Sequence, residues 1–579
     1  MNDKALTIYK ASAGSGKTFT LSAEYIELLI LNPNSYRSTL AVTFTNKATE
    51  EMKMRILSQL YGIWKQLPDS KGYADKIKKE LGVGDKFLTE RAGIALHNIV
   101  SNYSYFRIET IDSFFQSVLR NLARELDLTA NLKVELNDED IESNAVDQLI
   151  TELREKDDFL KWIMDFIQEN IDEEHDWNVI GNIKEFGKNI FKEFYKTHSK
   201  ELNKRLAEKG FFGRYTHMLR QLRDNAKKDI QTEAERFFQA LEERGYTVND
   251  LSNKTKGVAG YFIKIRNGVM DDSILTKTAV GALNGETDKW VKGSAPQDLR
   301  DFATGTLAKI LEETEEVRSK KWRTYQSAAL TLRNINQLRL LNSIDTKVRE
   351  MNMETNRFLL SDTHSLLHSL IQDSDSPFIF EKIGTRLETI MIDEFQDTSV
   401  IQWLNFKVLL EECMSNGETK GNLIVGDVKQ SIYRWRSGDW RMLNNIETEF
   451  PGKNDMLKLE PLDTNWRSQH NVIVFNNAFF KAMADVEYDN LTQLDSSDNG
   501  ILRAEQLKKA YSDVEQKVAE KKKEALGRVE ITLLPGNKGN NSNEEMMEMV
   551  KTNIESLLSQ GAALADIAII ARSISQPQN

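Results

Sequence analysis

The feature that restricts this chain most is the octapeptide Ala11-Ser-Ala-Gly-Ser-Gly-Lys-Thr18, set between an apolar run, Leu6–Lys10, and a helical pattern, Lys17–Leu31. Closely spaced glycines let successive backbone N–H groups curl inward, and the helix that follows points its positive end into the same space. Such a turn cradles phosphates. Ala11, Ser12, Ala13, Gly14, Ser15 and Gly16 would wrap the phosphate chain of ATP, Lys17 would reach its terminal groups, and the Thr18 hydroxyl would hold Mg²⁺. Ala11 stands where this motif usually begins with glycine.

Five more β-type runs follow: Leu40–Thr45, Tyr105–Ile111, Thr389–Asp393, Leu423–Val425 and Met456–Leu462. Several are nearly continuous apolar stretches, the pattern of strands buried on both faces of a parallel sheet. An α/β nucleotide-binding fold is therefore expected. No proline occurs between Pro68 and Pro296, and most of that interval reads as amphipathic helix, for example Ile141–Leu153, Glu193–Leu206 and Thr232–Arg244. Residues 1–121 with 351–450 are expected to form the first α/β domain, 122–350 a mostly helical insertion, and 451–579 an incomplete second one. The Gly/Lys/Thr-rich piece Asn253–Gly293 should be irregular, and Asp495–Gly500 and Gly536–Asn543 flexible.

The run Ile390-Met-Ile-Asp-Glu-Phe-Gln-Asp397 complements the phosphate loop. It brings Asp393 to a metal and Glu394 beside it to polarise an attacking water; two adjacent acids at a strand end need a cation between them. A strand that ends in acids is common by itself, and the Lys17 loop is what gives this one meaning. Composition sets looser bounds. One cysteine, Cys413, excludes an intrachain disulfide and a multi-cysteine metal site. Reducing cytoplasm is the expected compartment. No apolar run is long enough for a bilayer, so no membrane contact is expected. The formal charge of −11 argues against a general positive field, so any nucleic-acid contact must be a local groove.

Asp393-Glu-Phe-Gln-Asp397 is similar to the signature of superfamily 1 DNA helicases of the UvrD/Rep and RecB/AddA group (exonuclease V beta subunit-like). Four more stretches in the same order carry the resemblance: Thr43-Phe-Thr-Asn-Lys-Ala48, Thr110-Ile-Asp-Ser-Phe114, Gly426-Asp-Val-Lys-Gln-Ser-Ile-Tyr-Arg-Trp-Arg436 and Asn465-Trp-Arg-Ser468. The first element, Thr7–Thr20, and Asn356–Asp362 look more like RecB/AddA than UvrD, since Phe19 stands where UvrD-type chains carry arginine. The resemblance covers the α/β parts well and the insertion hardly at all. It implies a RecA-like P-loop sheet with a helical insertion and the start of a second RecA-like domain.

It also implies roles. Lys17 and Glu394 would be catalytic, Gln430 would sense the γ-phosphate, Arg467 would reach it across a cleft, and Trp466 would stack on adenine. Phe44, Thr45, Asn46, Thr110, Tyr433, Trp435 and Arg436 would meet single-stranded DNA, rings stacking on bases with little sequence preference. Core packing is the rival explanation for Trp435 and Trp466. Implied activity is ATP-driven 3′ to 5′ translocation at DNA ends in repair and recombination, with an AddB/RecC-like partner subunit.

Two departures matter. Asp112 replaces the histidine of the third element. The family's later elements, and a nuclease domain, find no counterpart after Asp566–Arg572, a run that resembles an early strand of the second domain. The chain is therefore expected to be a truncated form that binds Mg·ATP and single-stranded DNA weakly, with little turnover and no unwinding. Rival functions are an ATP-switched DNA-binding protein and a P-loop ATPase with protein clients.

Overall fold

The computed structural model describes residues 4–122, 133–135, 138–154, 178–355 except 209, 357–359, 387–415, 421–533 except 496, and 541–571, with isolated positions between 160 and 167 and between 362 and 368. They divide into two compact units, Met1–Tyr9 with Thr18–Glu460, and Lys10–Lys17 with Pro461–Asn579.

The strands are β1 (Leu6–Ala11), β2 (Thr39–Thr43), β3 (Ile108–Thr110), β4 (Lys133–Glu135), β5 (Arg357–Leu359), β6 (Thr389–Ile392), β7 (Asn422–Gly426), β8 (Leu457–Leu462), β9 (Thr464–Asn465) and β10 (Lys517–Val518). A six-stranded sheet has the order β3-β2-β6-β7-β1-β8. All six apolar runs supply its strands. Pairing is parallel, with Ala41 opposite Ile108, Val42 opposite Ile392, and Ile392 opposite Ile424. Every residue of β2, β6 and β7 is buried. Burying each Ile or Val there contributes about 1.5–3 kcal/mol.

Asn422 is polar within this apolar layer, at 1% exposure. Its amide is satisfied sideways: Oδ1 accepts from Ile390 N at 2.9 Å and Nδ2 donates to the Ala5 carbonyl at 3.1 Å. The side chain thus ties three parts of the sheet together. On one face Phe114, Phe115 and Phe406 interlock, with centroids 5.6 Å apart for Phe114–Phe406 and 4.6 Å for Phe115–Phe406. Cys413 is buried in the same core, and its thiol is pushed up to about 12 by burial and the neighbouring Glu412 charge.

The third apolar run forms less strand than expected. Tyr103–Tyr105 is a 3-10 turn and Ile111 begins a helix, Ile111–Leu122, because the Thr110 hydroxyl accepts from Ser113 N at 3.2 Å and caps it. Between residues 122 and 355, helices span Asp138–Thr151, Glu193–Ala207 and Phe211–Glu243. The last packs along the 47-residue helix Ala308–Glu354.

Asn253–Gly293 is not irregular. Short helices, including Ala259–Arg266 and Lys277–Leu283, close around Phe262 and Trp290, and Phe262 stacks on Phe237 at 4.0 Å. Lys254, Thr255, Lys256, Gly268, Thr276, Lys277 and Gly285 are exposed between its apolar anchors, while Gly257 and Gly281 are buried among them. Arg318, 2% exposed, is held by Glu315 at 2.7 Å, Asp272 at 3.1 Å and the Met270 carbonyl at 2.9 Å.

In the second unit β9 and β10 pair in parallel, and the helices His470–Leu494 and Asp498–Ala510 pack together. Ser497 caps the latter by accepting from Gly500 N, so part of the first predicted flexible stretch is ordered helix start. Residues 534–540, within and beside the second, lie outside the described residues. Asp566–Ala571 forms no strand: Ile569 and Ile570 are 60% and 95% exposed, and no described strand pairs with the segment. An apolar run becomes a strand only where a neighbour takes up its hydrogen bonds. Among the described residues, no helix is long and apolar enough to cross a membrane.

Phe406→Ala removes the ring on which both neighbouring phenylalanines rest. A loss of about 3–5 kcal/mol is expected, read as a lower midpoint in urea unfolding.

Candidate functional site

β1 ends at buried Ala11, and the helix Lys17–Leu31 starts six residues later. Between them Ser15 closes the loop on itself: its hydroxyl donates to the Ser12 carbonyl at 2.7 Å and accepts from Ser12 N at 3.2 Å. Gly14 and Gly16 have φ of +71° and +87°, a region that side-chain-bearing residues enter at a cost. Lys17 and Thr18 occupy the first helical turn, whose backbone N–H groups point out of the helix end.

Within the second unit this loop is gripped from outside. Asn465 Nδ2 and Gln516 Nε2 both donate to the Ala13 carbonyl, at 3.1 and 2.7 Å, and Trp466 N donates to the Gly14 carbonyl at 2.9 Å. Asn465 Oδ1 accepts from Arg467 N and Ser468 N, both at 2.9 Å, which fixes the backbone of Arg467 beside the loop. A Cβ on Gly14 would stand 2.8 Å from Asn465 Oδ1 and 3.0 Å from Arg467 Cβ. Trp466 is 56% exposed, so its ring is not a core residue.

In the first unit β6 delivers Asp393, 7% exposed, whose backbone N–H donates to the Val42 carbonyl at 2.9 Å. Glu394 follows in the left-handed region, φ 50° and ψ 42°, which costs about 1–2 kcal/mol. Its N–H donates to Asp393 Oδ1 at 2.9 Å. The Asp393 carboxylate and Thr18 hydroxyl are hard oxygen donors, the chemistry that Mg²⁺ prefers.

A network then runs outward from Glu394. Gln396 Nε2 donates to Glu394 Oε2 at 2.6 Å, and Gln396 Oε1 accepts from Asp427 N at 2.8 Å. The Asp427 carboxylate accepts from Gln430 Nε2 at 2.5 Å, Lys429 N at 3.0 Å and Lys429 Nζ at 3.3 Å. Thus Glu394 and Gln430 belong to one connected set.

Beyond Gln430 the chain turns through Arg434–Arg436 to Ser437, φ 66°. The Phe44 and Tyr433 rings meet at 4.4 Å, Tyr433 and Trp435 at 6.1 Å, and Arg436 lies 4.8 Å from the Trp435 centroid and 5.9 Å from that of Phe44. Trp435 is 72% exposed, which disposes of core packing for this residue too. Segments nearly four hundred residues apart therefore build one aromatic and basic platform. Asn46 opens the adjoining helix Asn46–Trp64, and the Thr45 hydroxyl caps it, accepting from Ala48 N at 3.2 Å. The Thr110 hydroxyl is likewise engaged in its own cap, donating to Ser113 Oγ at 2.8 Å.

Asp112 has a partner that its position in sequence does not announce. His364 Nε2 lies 2.9 Å from Asp112 Oδ1, and Gln402 Nε2 donates to the same oxygen at 3.3 Å. Burial works against the charged form, but the His364 bond and charge, with Arg436 nearby, outweigh it and hold the carboxyl below its usual range. His364 and Gln516 carry no sequence signal that could have singled them out. Gln396 and Asn465 lie inside the motifs quoted above, and their polar side chains beside acid or arginine were the available clue.

A glycine-rich phosphate loop and an acidic strand end on one parallel sheet define the class: a P-loop nucleotide-binding fold of RecA-like α/β architecture. The profile of the UvrD/REP helicase N-terminal domain matches residues 3–451, and the chain belongs to that family. It is 25% identical to an ATP-dependent helicase/nuclease subunit of Listeria monocytogenes serotype 4b (strain F2365), over 84% of this chain and 39% of that protein. The same shares of both chains, at 25% identity, align with exonuclease/helicase subunit RexA of Lactococcus lactis subsp. cremoris (strain MG1363). The corresponding helicase/nuclease subunit of Clostridium novyi (strain NT) is 24% identical over 95% of this chain and 43% of that protein. The chain spans about two-fifths of the length of these curated relatives.

Gly14→Ala tests the phosphate loop. Its positive φ and the crowding by Asn465 predict a loss of about tenfold or more in affinity for a fluorescent adenine nucleotide, measured by titration with Mg²⁺ present.

Proposed function

We propose that this chain carries the ATP-dependent motor of a DNA helicase of the AddA type, in which ATP hydrolysis drives movement along single-stranded DNA. The observation that carries the reading is the platform of half-buried Phe44 and Tyr433 with exposed Trp435 and Arg436, built onto the same loop that reaches Gln430. Bases stack on such rings whatever their identity, and the guanidinium faces the phosphate backbone. Local placement of these groups also reconciles DNA binding with a net charge of −11.

Each residue has a chemical task. The loop from Ala11 to Gly16 binds the phosphates through backbone N–H groups, and Lys17 neutralises the terminal oxygens. Thr18 and Asp393 would hold Mg²⁺, which supplies charge neutralisation at the transferring phosphoryl group. Glu394 accepts a proton from the attacking water. Gln430 contacts the γ-phosphate, and Arg467, fixed beside the loop by Asn465, stabilises the transferring charge. Trp466, exposed next to Gly14, offers its ring to adenine.

The relatives are named as subunits of helicase/nucleases. By extension a partner subunit of the AddB/RecC kind, action at DNA ends in repair and 3′ to 5′ polarity belong to this proposal.

Glu394→Gln should lower DNA-stimulated phosphate release by about 10²-fold or more while leaving oligo-dT affinity within about twofold. Trp435→Ala should weaken oligo-dT binding by about tenfold. Equal phosphate release in the parent and Glu394→Gln overturns hydrolysis by Glu394 and leaves an ATP-switched DNA binder. Unchanged oligo-dT affinity in Trp435→Ala overturns the platform.

A further inference from the structure

Glu142 takes no part in the tasks above, and its surroundings are unusual for an acid. It lies in the first half of the helix Asp138–Thr151 and is 0% exposed. That helix contributes Ile141, Ala145 and Val146 to an apolar core with Ile183 and with Leu340, Ile344 and Val348 of the helix Ala308–Glu354. Acids are almost never fully buried unless paired. Glu142 is not paired: both of its carboxyl oxygens are sealed from solvent and neither has a hydrogen-bond partner.

The cations on the surrounding elements are taken. Lys184 binds Asp147 at 2.7 Å, and Lys188 binds Glu139 at 3.0 Å and Glu185 at 2.9 Å. On the long helix Lys347 binds Glu152 at 2.8 Å and Arg349 binds Asp345 at 3.0 Å. Lys196, on the helix Glu193–Ala207, binds Asp362 at 2.6 Å. The site is nevertheless shaped for a carboxyl. Gly187 ends the helix Val179–Gly187, and a Cβ there would run into Glu142 Oε1 and stand 3.3 Å from Ile344 Cδ1. Its φ of −55° suits any residue, so the absent side chain is what matters. Glycine leaves the space that the carboxyl fills.

We infer that Glu142 is a proton-operated latch on the C-terminal part of the helix Ala308–Glu354, closed while its carboxyl is neutral and released when it ionises. A neutral carboxyl stays among isoleucines at modest cost, whereas a carboxylate there has neither water nor a donor. Burial accordingly pushes the group up from 4.5 to about 7; Lys184 and Lys188 pull against this, and Asp147 and Glu139 add to it. The folded value exceeds the unfolded one, so stabilisation by Glu142 is complete below about 4.5 and is lost as pH rises through about 7. Ionisation drives the carboxylate out toward Lys184 and Lys188, both partly exposed, and the helices Asp138–Thr151 and Val179–Gly187 loosen on the long helix. The lobe that this helix carries is then held less firmly above neutral pH.

The test is hydrogen exchange of the full chain, read by mass spectrometry at about pH 5.5 and about pH 8 and corrected for the intrinsic pH dependence of exchange. In the parent, protection of peptides from Asp138–Thr151 and Val179–Gly187 should fall by about tenfold or more across that interval. Peptides from Ala259–Arg266, in the core around Phe262 and Trp290, should change by less than about twofold. Glu142→Gln keeps the shape and cannot ionise, so its profile should be flat.

Gly187→Ala reaches the same group from the other side. The added methyl expels the carboxyl, so protection should already be low at the acidic end and should not fall further. A role in packing alone would lower protection in both variants without touching its pH dependence. A flat profile in the parent overturns the assignment without any variant, and so does a parent-like fall in Glu142→Gln or in Gly187→Ala. Should one variant fail to fold, the parent and the other still decide. All of these readouts are independent of ATP and DNA, so none bears on the motor reading.

Discussion

The parallel pairing of β2 with β6 is the contact on which the rest of the site depends. Val42 stands opposite Ile392, and the next backbone N–H, that of Asp393, closes onto the Val42 carbonyl. Because the strands run the same way, both leave the sheet at the same edge, about 4.8 Å apart. Phe44 follows one and Glu394 the other. β7, parallel on the far side of β6, opens at that edge into the turn containing Gln430. Antiparallel pairing would send one of the three turns to the opposite edge. Residues separated by hundreds of positions are thus brought together by strand register, and the loops need only short local turns.

Polar side chains then convert proximity into a defined arrangement. Gln396, Asp427 and Asn465 each join two or more segments and are each nearly or fully buried. In such places hydrogen bonds resist exchange with water, so an amide with three partners acts as a stiff joint. The left-handed Glu394 needs this support. Its backbone conformation is unfavourable alone and persists because both flanks are fixed, by Val42 on one side and by Gln396 on the other.

Much of the fold was legible because the central strands β2, β6 and β7 are buried on both faces. Continuous apolar runs such as Thr389–Asp393 have few alternative readings, and all six marked strands. Local sequence was less informative where capping decides: Thr110 turns the chain from strand to helix, which a run of apolar residues hides. Asn253–Gly293 misled through its glycines and lysines, although Val258, Tyr261, Phe262 and Ile265 already supplied a buried face. Of the site, the phosphate loop and the acidic pair could be read directly, since each is contiguous. His364 against Asp112 and Gln516 against Ala13 could not, because each depends on a neighbour 252 or 503 positions away. Exposure was also beyond reach: that Trp435 and Trp466 face outward is a property of the packed chain.

The helix Ala308–Glu354, with 47 residues, extends for about 70 Å. One end lies in the core around Phe237 and Phe262, and the other packs Leu340, Ile344 and Val348 against Ile141 and Ile183, with β5 only two residues beyond its last turn. A rod of that length amplifies angle into distance. Pivoting it by about 5° at the β5 end would sweep the distant lobe through roughly 6 Å, given a helical rise of 1.5 Å per residue. An object that pressed on the lobe would have the same mechanical advantage over the strand at the short end.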